Sequence, residues 1–275
     1  MIELPEARAI ALDLKKEILG KKIINVGGNF TDHKFTFYKG DPNTYKELLT
    51  GKKVTKIIER NYYVEIEIED HKLIFRDGAN IRYYQQPTKL TKSKLLITFD
   101  DNSYINITTS MYCFIALFSN KEELDDEYYQ LELTGISPLG KDFTLSYFKS
   151  LINDETKKLS IKAFLATKQR FLGIGNGVVQ DIMFNAKLFP KRKINTLNNN
   201  EIKLLYNAIV STLNKMVNDH GRDSEKDIYG NAGGYKTIMS ARSYKNGCPI
   251  CHSEIKKEQY LGGSIYYCPN CQKQN

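Results

Sequence analysis

Cys248-Pro-Ile-Cys251-His-Ser-Glu-Ile-Lys-Lys-Glu-Gln-Tyr-Leu-Gly-Gly-Ser-Ile-Tyr-Tyr-Cys268-Pro-Asn-Cys271 sets two C-x-x-C pairs on either side of a 16-residue segment. Four soft thiolates at this spacing suit a closed tetrahedral zinc site. Pro249 and Pro269 favour a tight turn inside each pair. Between the pairs, Ile255 to Tyr267 alternates as a β-hairpin should, with its turn expected at Gly262-Gly263. Two disulfides, or reduced surface thiols, are the competing readings. Four cysteines leave no coordination position for water, so the expected zinc is structural and not catalytic. So small a finger has little core, and metal binding would supply most of its folding free energy, on the order of 10 kcal/mol.

The 275 residues suffice for two domains and a large core. No apolar run approaches the length of a membrane span, and the N-terminus lacks the basic-then-apolar pattern of a signal peptide. No membrane association is therefore expected. With four cysteines assigned to metal, Cys113 stands alone in an apolar run and is expected to be a buried thiol. This usage reads as a reducing, cytoplasmic compartment. A net charge of +8 suits a polyanionic partner, although a solvated basic face is the plainer explanation of charge taken alone.

Upstream, Pro5-Glu6 begins a helix with Ala9, Ile10, Leu14 and Ile18 as its apolar stripe and Gly20 as its end. From Lys21 to about Ser119 the period is two. In Tyr62-Tyr-Val-Glu-Ile-Glu-Ile-Glu69 the aliphatic residues are expected to face inward and the glutamates outward. Further strands are expected at Lys72–Phe75, Leu95–Phe99, Tyr104–Ile107 and Tyr112–Leu117, which together suggest an antiparallel sandwich. The Gly, Pro and Ser of Gly135 to Asp142 read as a linker. After Ser146 the period becomes 3.6. Leu204, Leu205, Ala208, Ile209, Leu213 and Met216 share the face of a helix that Asn198-Asn-Asn200 can cap. Residues 219–247 read as loop.

Three segments resemble one family, the formamidopyrimidine-DNA glycosylase and endonuclease VIII family of base-excision repair. The first is Met1-Ile-Glu3-Leu-Pro5-Glu6, close to the family opening Met-Pro-Glu-Leu-Pro-Glu. The second is Ile161-Lys162-Ala-Phe-Leu-Ala-Thr-Lys-Gln169, then Gly173-Ile-Gly-Asn176-Gly and Phe184-Asn-Ala-Lys-Leu-Phe-Pro190, which look like the family's helix–two-turn–helix. The third is the cysteine hairpin. The resemblance implies an α+β protein with an N-terminal β-sandwich led by a helix, and a C-terminal helical domain carrying the finger. The expected divisions are 1–130 for the sandwich, 131–145 for a linker, 146–240 for the helix–two-turn–helix domain and 241–275 for the finger. The implied partner is double-stranded DNA, damaged or abasic, lying between the halves. Such enzymes extrude the damaged nucleotide, because C1′ is inaccessible inside the stack. A monomer, nucleoid-associated when bound to DNA, is expected.

Residue by residue, Glu3 and Glu6 match family carboxylates, and Glu3 is expected to manage the protons of base release. Both also suit the first turn of a helix. The family's nucleophile is an N-terminal proline, but position 2 here is Ile2, whose bulk is expected to leave Met1 in place. The Met1 α-amine then becomes the candidate nucleophile, one residue out of register. Lys162, Asn176, Lys191 and Arg192 are the expected contacts to the DNA backbone, with Lys187 and Lys193 adding to the basic cluster. Zinc is expected on Cys248, Cys251, Cys268 and Cys271. The remaining family positions depart: Tyr62 stands for a lyase lysine, Asp77 for the wedge methionine, and Gly263 for the finger's arginine. Met111 or Tyr112 could still act as an apolar wedge. The charged Gly221-Arg-Asp-Ser-Glu225-Lys-Asp227 loop is a source of replacement groups. These features imply a glycosylase of damaged, oxidised bases whose abasic-site lyase activity is weakened or rerouted. The alternative is a catalytically inactive protein that recognises damaged DNA.

Overall fold

Pro5 and Glu6 lie in the first turn of helix α1 (Leu4–Ile18), whose buried stripe includes Ala7, Ile10, Ala11, Leu14 and Ile18. Proline there forfeits only an N–H that the helix leaves unpaired in any case. In the computed structural model, residues 1–28, 34–86, 88, 90 and 92–273 are described. They form two compact units, Met1–Gln130 with Glu225–Gly233, and Leu131–Ser224 with Gly234–Asn275. The units therefore do not follow the chain-order division read from the sequence: a short segment near residue 230 belongs with the first. The finger is not set apart from the helices.

In the first unit, β1 (Ile23–Gly27), β2 (Thr36–Lys39), β3 (Val54–Glu59), β4 (Tyr63–Ile68), β5 (His71–Tyr84), β6 (Leu95–Phe99) and β7 (Tyr104–Ser119) make one sheet. A short helix, α2 (Tyr45–Leu49), lies between β2 and β3. The long strands β5 and β7 pair antiparallel from His71↔Ser119 to Tyr84↔Tyr104, with a bulge between Asp77 and Ala79. On one side of the bulge β7 also pairs with β6 and, through it, β1; on the other β5 pairs with β4, and β7 takes β2 as a parallel neighbour. A single bent ribbon thus supplies both layers of the sandwich, and one apolar core draws on both layers and on α1. Gly78 is required at the bend, since a β-carbon there would stand 2.6 Å from the Tyr112 carbonyl oxygen.

Two local expectations change. Tyr104–Ile107 and Tyr112–Leu117 are one strand, because the residues between them stay extended alongside the bulge. Glu65 is fully buried and does not face solvent. The outer face of β4 is itself covered, with Tyr63 against Tyr129 and Tyr129 against Phe118. Arg60 at 2.8 Å and Lys72 at 3.6 Å neutralise the buried carboxylate.

The division between the units falls inside α3 (Glu127–Thr134), a helix that overlaps the start of the expected linker. Helices α4 (Leu145–Ser150), α5 (Ile161–Ala166), α6 (Val178–Asn185) and α7 (Asn199–Asn218) surround an aromatic core. In it Phe164 and Phe148 stand against Phe171 at 5.2 and 5.7 Å between ring centroids. Asn198 and Glu201 form a capping box at the start of α7, as the asparagine cluster predicts. Leu204 departs from the expected apolar face and is exposed, because neighbouring residues on a helix point about 100° apart and Leu205 takes the inward position. Strands β8 (Lys256–Tyr260) and β9 (Gly263–Tyr267) make the hairpin. Its turn is Leu261-Gly262, with φ of +52° and +73°, one residue earlier than expected and in the sense that matches strand twist.

Candidate functional site

The bulge in β5 is where the N-terminus is fastened. Asp77 has a φ of +63°, a conformation that Asp tolerates better than most residues, and its carbonyl accepts the Ile2 N–H at 2.8 Å. The Ile2 side chain is buried in the core. The nitrogen of residue 2 is therefore committed as an amide, and the free α-amine lies one residue further out, on Met1, which is 54% exposed. Glu3 follows in extended conformation at the N-cap of α1 and is 4% exposed. Its carbonyl receives the Ala7 N–H at 2.9 Å, but its side chain makes no capping hydrogen bond. Helix capping thus does not account for a buried glutamate at this position. Glu6 is buried in the first turn. Beside the terminus, the Asp77 carboxyl lies above the usual carboxylate range because of burial, which outweighs the pull of Arg76 at 3.3 Å. Arg76 in turn holds Asp126 at 2.7 Å.

Segment 225–233 brings one more carboxylate. Glu225 Oε2 accepts a hydrogen bond from the Met1 ammonium at 2.7 Å. The segment is anchored along its length. Ile228 is fully buried in the sandwich core and its carbonyl accepts the Tyr83 N–H at 2.8 Å. Arg82 donates to the Asp227 carbonyl at 2.9 Å, and the Tyr229 hydroxyl donates to Glu17 at 2.7 Å. Asp227 fixes the turn itself by accepting the N–H groups of Tyr229 and Asn231.

Tyr62 is buried, and its hydroxyl donates to the Tyr128 carbonyl. It is packing, with no phenol offered to solvent. Met111 and Tyr112 are exposed on β7, where Phe35 meets the Tyr112 ring edge-on at 5.1 Å.

In the second unit, α5 and α6 are joined by two turns in which Lys168, Gln169 and Gly173 adopt positive φ. Ser160 caps α5 and Gln169 Oε1 receives the Gly173 N–H at 3.0 Å. Asn176, just before α6, lies against the hairpin tip: a β-carbon on Gly263 would stand 2.9 Å from its Nδ2. Gln180 is buried and fastens the hairpin, donating to the Asn176 and Ser264 carbonyls at 3.0 Å and accepting the Tyr266 N–H at 3.1 Å. Asp181, also buried, accepts the N–H groups of Ile238 and Met239, and burial raises its carboxyl above the ordinary range.

The four expected backbone contacts fall into different environments. Lys162 is only 2% exposed; its ammonium donates to the Tyr260 carbonyl at 2.6 Å, and burial pushes it below the ordinary lysine value. Arg192 makes a two-pronged contact with Glu201, at 2.5 and 2.9 Å. Lys191 pairs with Glu258 while remaining part-exposed. Asn176 is the hairpin neighbour already described.

The four cysteines converge, with all four sulfurs within 4.8 Å of one another. Cys248 and Cys271 are 3.7 Å apart, and Cys251 and Cys268 are 3.4 Å apart, too far for disulfides. A tetrahedral site with metal–sulfur bonds of about 2.3 Å has sulfur–sulfur edges of about 3.8 Å, so the cluster fits a metal ion. Gln272, fully buried, joins this knuckle to the helical body by accepting the Cys268 N–H and donating to the Leu188 carbonyl, both at 2.9 Å.

Sequence reading marked the 221–227 loop as a source of replacement groups but did not single out Glu225 as the partner of the terminus. It missed Gln180 and Gln272 altogether. No local signal distinguishes these residues from surface polar groups, since each has a partner 84 or more residues away: Met1 for Glu225, Ser264 for Gln180 and Leu188 for Gln272.

A family model for the formamidopyrimidine-DNA glycosylase H2TH domain matches residues 134–227. The formamidopyrimidine-DNA glycosylase of Lactococcus lactis subsp. lactis is 28% identical over 281 residues, covering 99% of this chain and 100% of that protein. That of Bacillus cereus is 24% identical over 279 residues, 99% of each. Among solved structures, a Lactococcus lactis Fpg complex with FAPY-dG-containing DNA matches with a TM-score of 0.82 at 25% identity, covering 98% of this chain and 100% of that one.

Proposed function

Because the chain belongs to the formamidopyrimidine-DNA glycosylase and endonuclease VIII family, we propose that it is a DNA glycosylase of base-excision repair that removes damaged, oxidised bases from duplex DNA. The observation that carries this reading is the N-terminus, where the Ile2 N–H is pinned to the Asp77 carbonyl, the Met1 α-amine meets Glu225, and Glu3 is buried two residues on. A primary α-amine, once it has given up a proton, is a competent imine-forming nucleophile. In this reading the damaged nucleotide is extruded, Glu3 carries protons for sugar opening and base release, and the Met1 amine attacks C1′. Glu6 supports Glu3 from the first turn of α1. Met111 and Tyr112, exposed on β7, are the groups to fill the space the base leaves.

Asn176 and Lys191 are read as backbone contacts. Lys162 and Arg192 are assigned a bracing role instead, Lys162 holding the hairpin and Arg192 holding α7. Structural Zn2+ on Cys248, Cys251, Cys268 and Cys271 would keep the hairpin folded. Lyase activity is expected to be weak: Tyr62 is buried, and Gly263 brings no cation to the hairpin tip. The protein is read as a cytoplasmic monomer, nucleoid-associated on DNA. Among the described residues, no helix is long and apolar enough to cross a membrane.

The test is incubation with duplexes that each carry one oxidised base, followed by mass detection of free base and of alkali-labile sites. Release of the base is the expected result. Tight, lesion-selective binding with no base released from any substrate would overturn the enzymatic reading in favour of a recognition protein.

A further inference from the structure

The Met1 ammonium is held at 2.7 Å by a carboxylate 224 residues away in the chain, on a segment whose next residues are built into the sandwich. A primary amine has a particular use for such a partner. A secondary amine condenses with an aldehyde to an iminium that is charged at every pH. The Schiff base of a primary amine keeps a removable proton, and once neutral it is a poor sink for electrons. An anion next to the nitrogen favours the charged form.

We propose that Glu225 is the proton carrier and counter-ion of the Met1 nitrogen. The proposal rests on the reading of Met1 as nucleophile. The resting ammonium gives one proton to Glu225, and the nitrogen lone pair forms the bond to C1′ of the opened abasic sugar. The C1′–oxygen π pair moves onto oxygen. Glu225 then returns its proton through the site, a second leaves the nitrogen, and the C1′ oxygen departs as water. The products are a protonated imine and one water from one ammonium and one aldehyde, so protons and charge balance. The remaining N–H stays directed at Glu225.

The other charged groups around the terminus are Asp77 on β5, with Arg76 and Asp126 behind it, and Glu3 and Glu6 from the N-terminal segment itself. Asp77 is already tied to Arg76, and Lys226 and Asp227 follow Glu225 in the chain. Glu225 Oε2 is in hydrogen-bonding contact with the amine, at 2.7 Å.

The experiment is cyanoborohydride trapping of the full chain on abasic-site duplex from about pH 5.5 to 8.5, with the adduct located by peptide mapping. Cyanoborohydride reduces the protonated imine, so the ratio of variant to parent reports protonation. Glu225→Gln should trap at Met1 about tenfold less than the parent near pH 8 and within about twofold of it near pH 6, where solvent supplies the proton. Glu225→Asp should retain most of the parent's yield, and both should bind DNA as the parent does. Equal trapping by Glu225→Gln at every pH would overturn the proposal. So would a deficit that acid fails to restore, which would leave Glu225 holding the segment only. Absence of a Met1 adduct in the parent itself would remove the nucleophile reading, and this inference with it.

Discussion

Replacing Glu3 by glutamine should slow base release by about 10²–10⁴-fold while leaving DNA affinity within about twofold. Glutamine keeps the size and much of the hydrogen-bonding capacity of glutamate, but it cannot give or take a proton at neutral pH. The backbone of the site should not move. The Ile2 N–H to Asp77 carbonyl bond and the Ala7 N–H to Glu3 carbonyl bond use main-chain atoms alone. The helix loses no cap, because the Glu3 side chain provides none. The loss would therefore fall on the transition state, about 3–5 kcal/mol of barrier. Single-turnover rates on an oxidised-base duplex, with affinities measured in parallel, provide the check. Turnover surviving in Glu3→Gln would transfer the proton chemistry to another carboxylate.

Stripping the metal, or replacing Cys268 by serine, should unfold the hairpin and weaken DNA binding by two orders of magnitude or more. A structural zinc contributes on the order of 10 kcal/mol to a finger of this size, and the two cysteine turns that flank β8 and β9 are joined through it. The damage would spread, because the hairpin shares a cluster of buried groups with its surroundings, Phe184 and Met239 beside Tyr266 and Ile255. Gln180 would lose Ser264 and Tyr266, and Lys162 would lose the Tyr260 carbonyl. Each buried polar group left without a partner costs about 1–3 kcal/mol. Hydrogen exchange should show β8 and β9 losing protection on chelation, while the strands of the sandwich keep theirs. Zinc-free protein that binds DNA as tightly as the parent would remove the hairpin from the DNA-binding account.

The parts of this molecule that local chemistry dictates could be read in advance. The cysteine spacing pointed to the cluster, the Asn198 run to the cap of α7, and the alternation after Tyr62 to β4. What could not be read depends on long-range pairing. Alternation identified β4 but not that its second face is covered, which is why Glu65 was expected in solvent. Lysine at 162 looks like a surface cation until the hairpin closes over it. The hairpin turn slipped by one residue because Gly262 and Gly263 are both glycine, and only Leu261-Gly262 lets Gly263 pack against Asn176. Near the terminus, Glu3 was singled out through the resemblance of the opening residues. Glu225 was not, since its role arises only when segment 225–233 folds onto the first unit.

The central claim is that the α-amine of Met1 does the covalent chemistry. Borohydride trapping on a duplex with a single abasic site, followed by peptide mapping of the adduct, tests it most directly. The account predicts a covalent complex whose DNA remnant sits on a retained Met1. An adduct on an internal lysine would contradict it, as would base release on oxidised-base duplex with no adduct on either substrate.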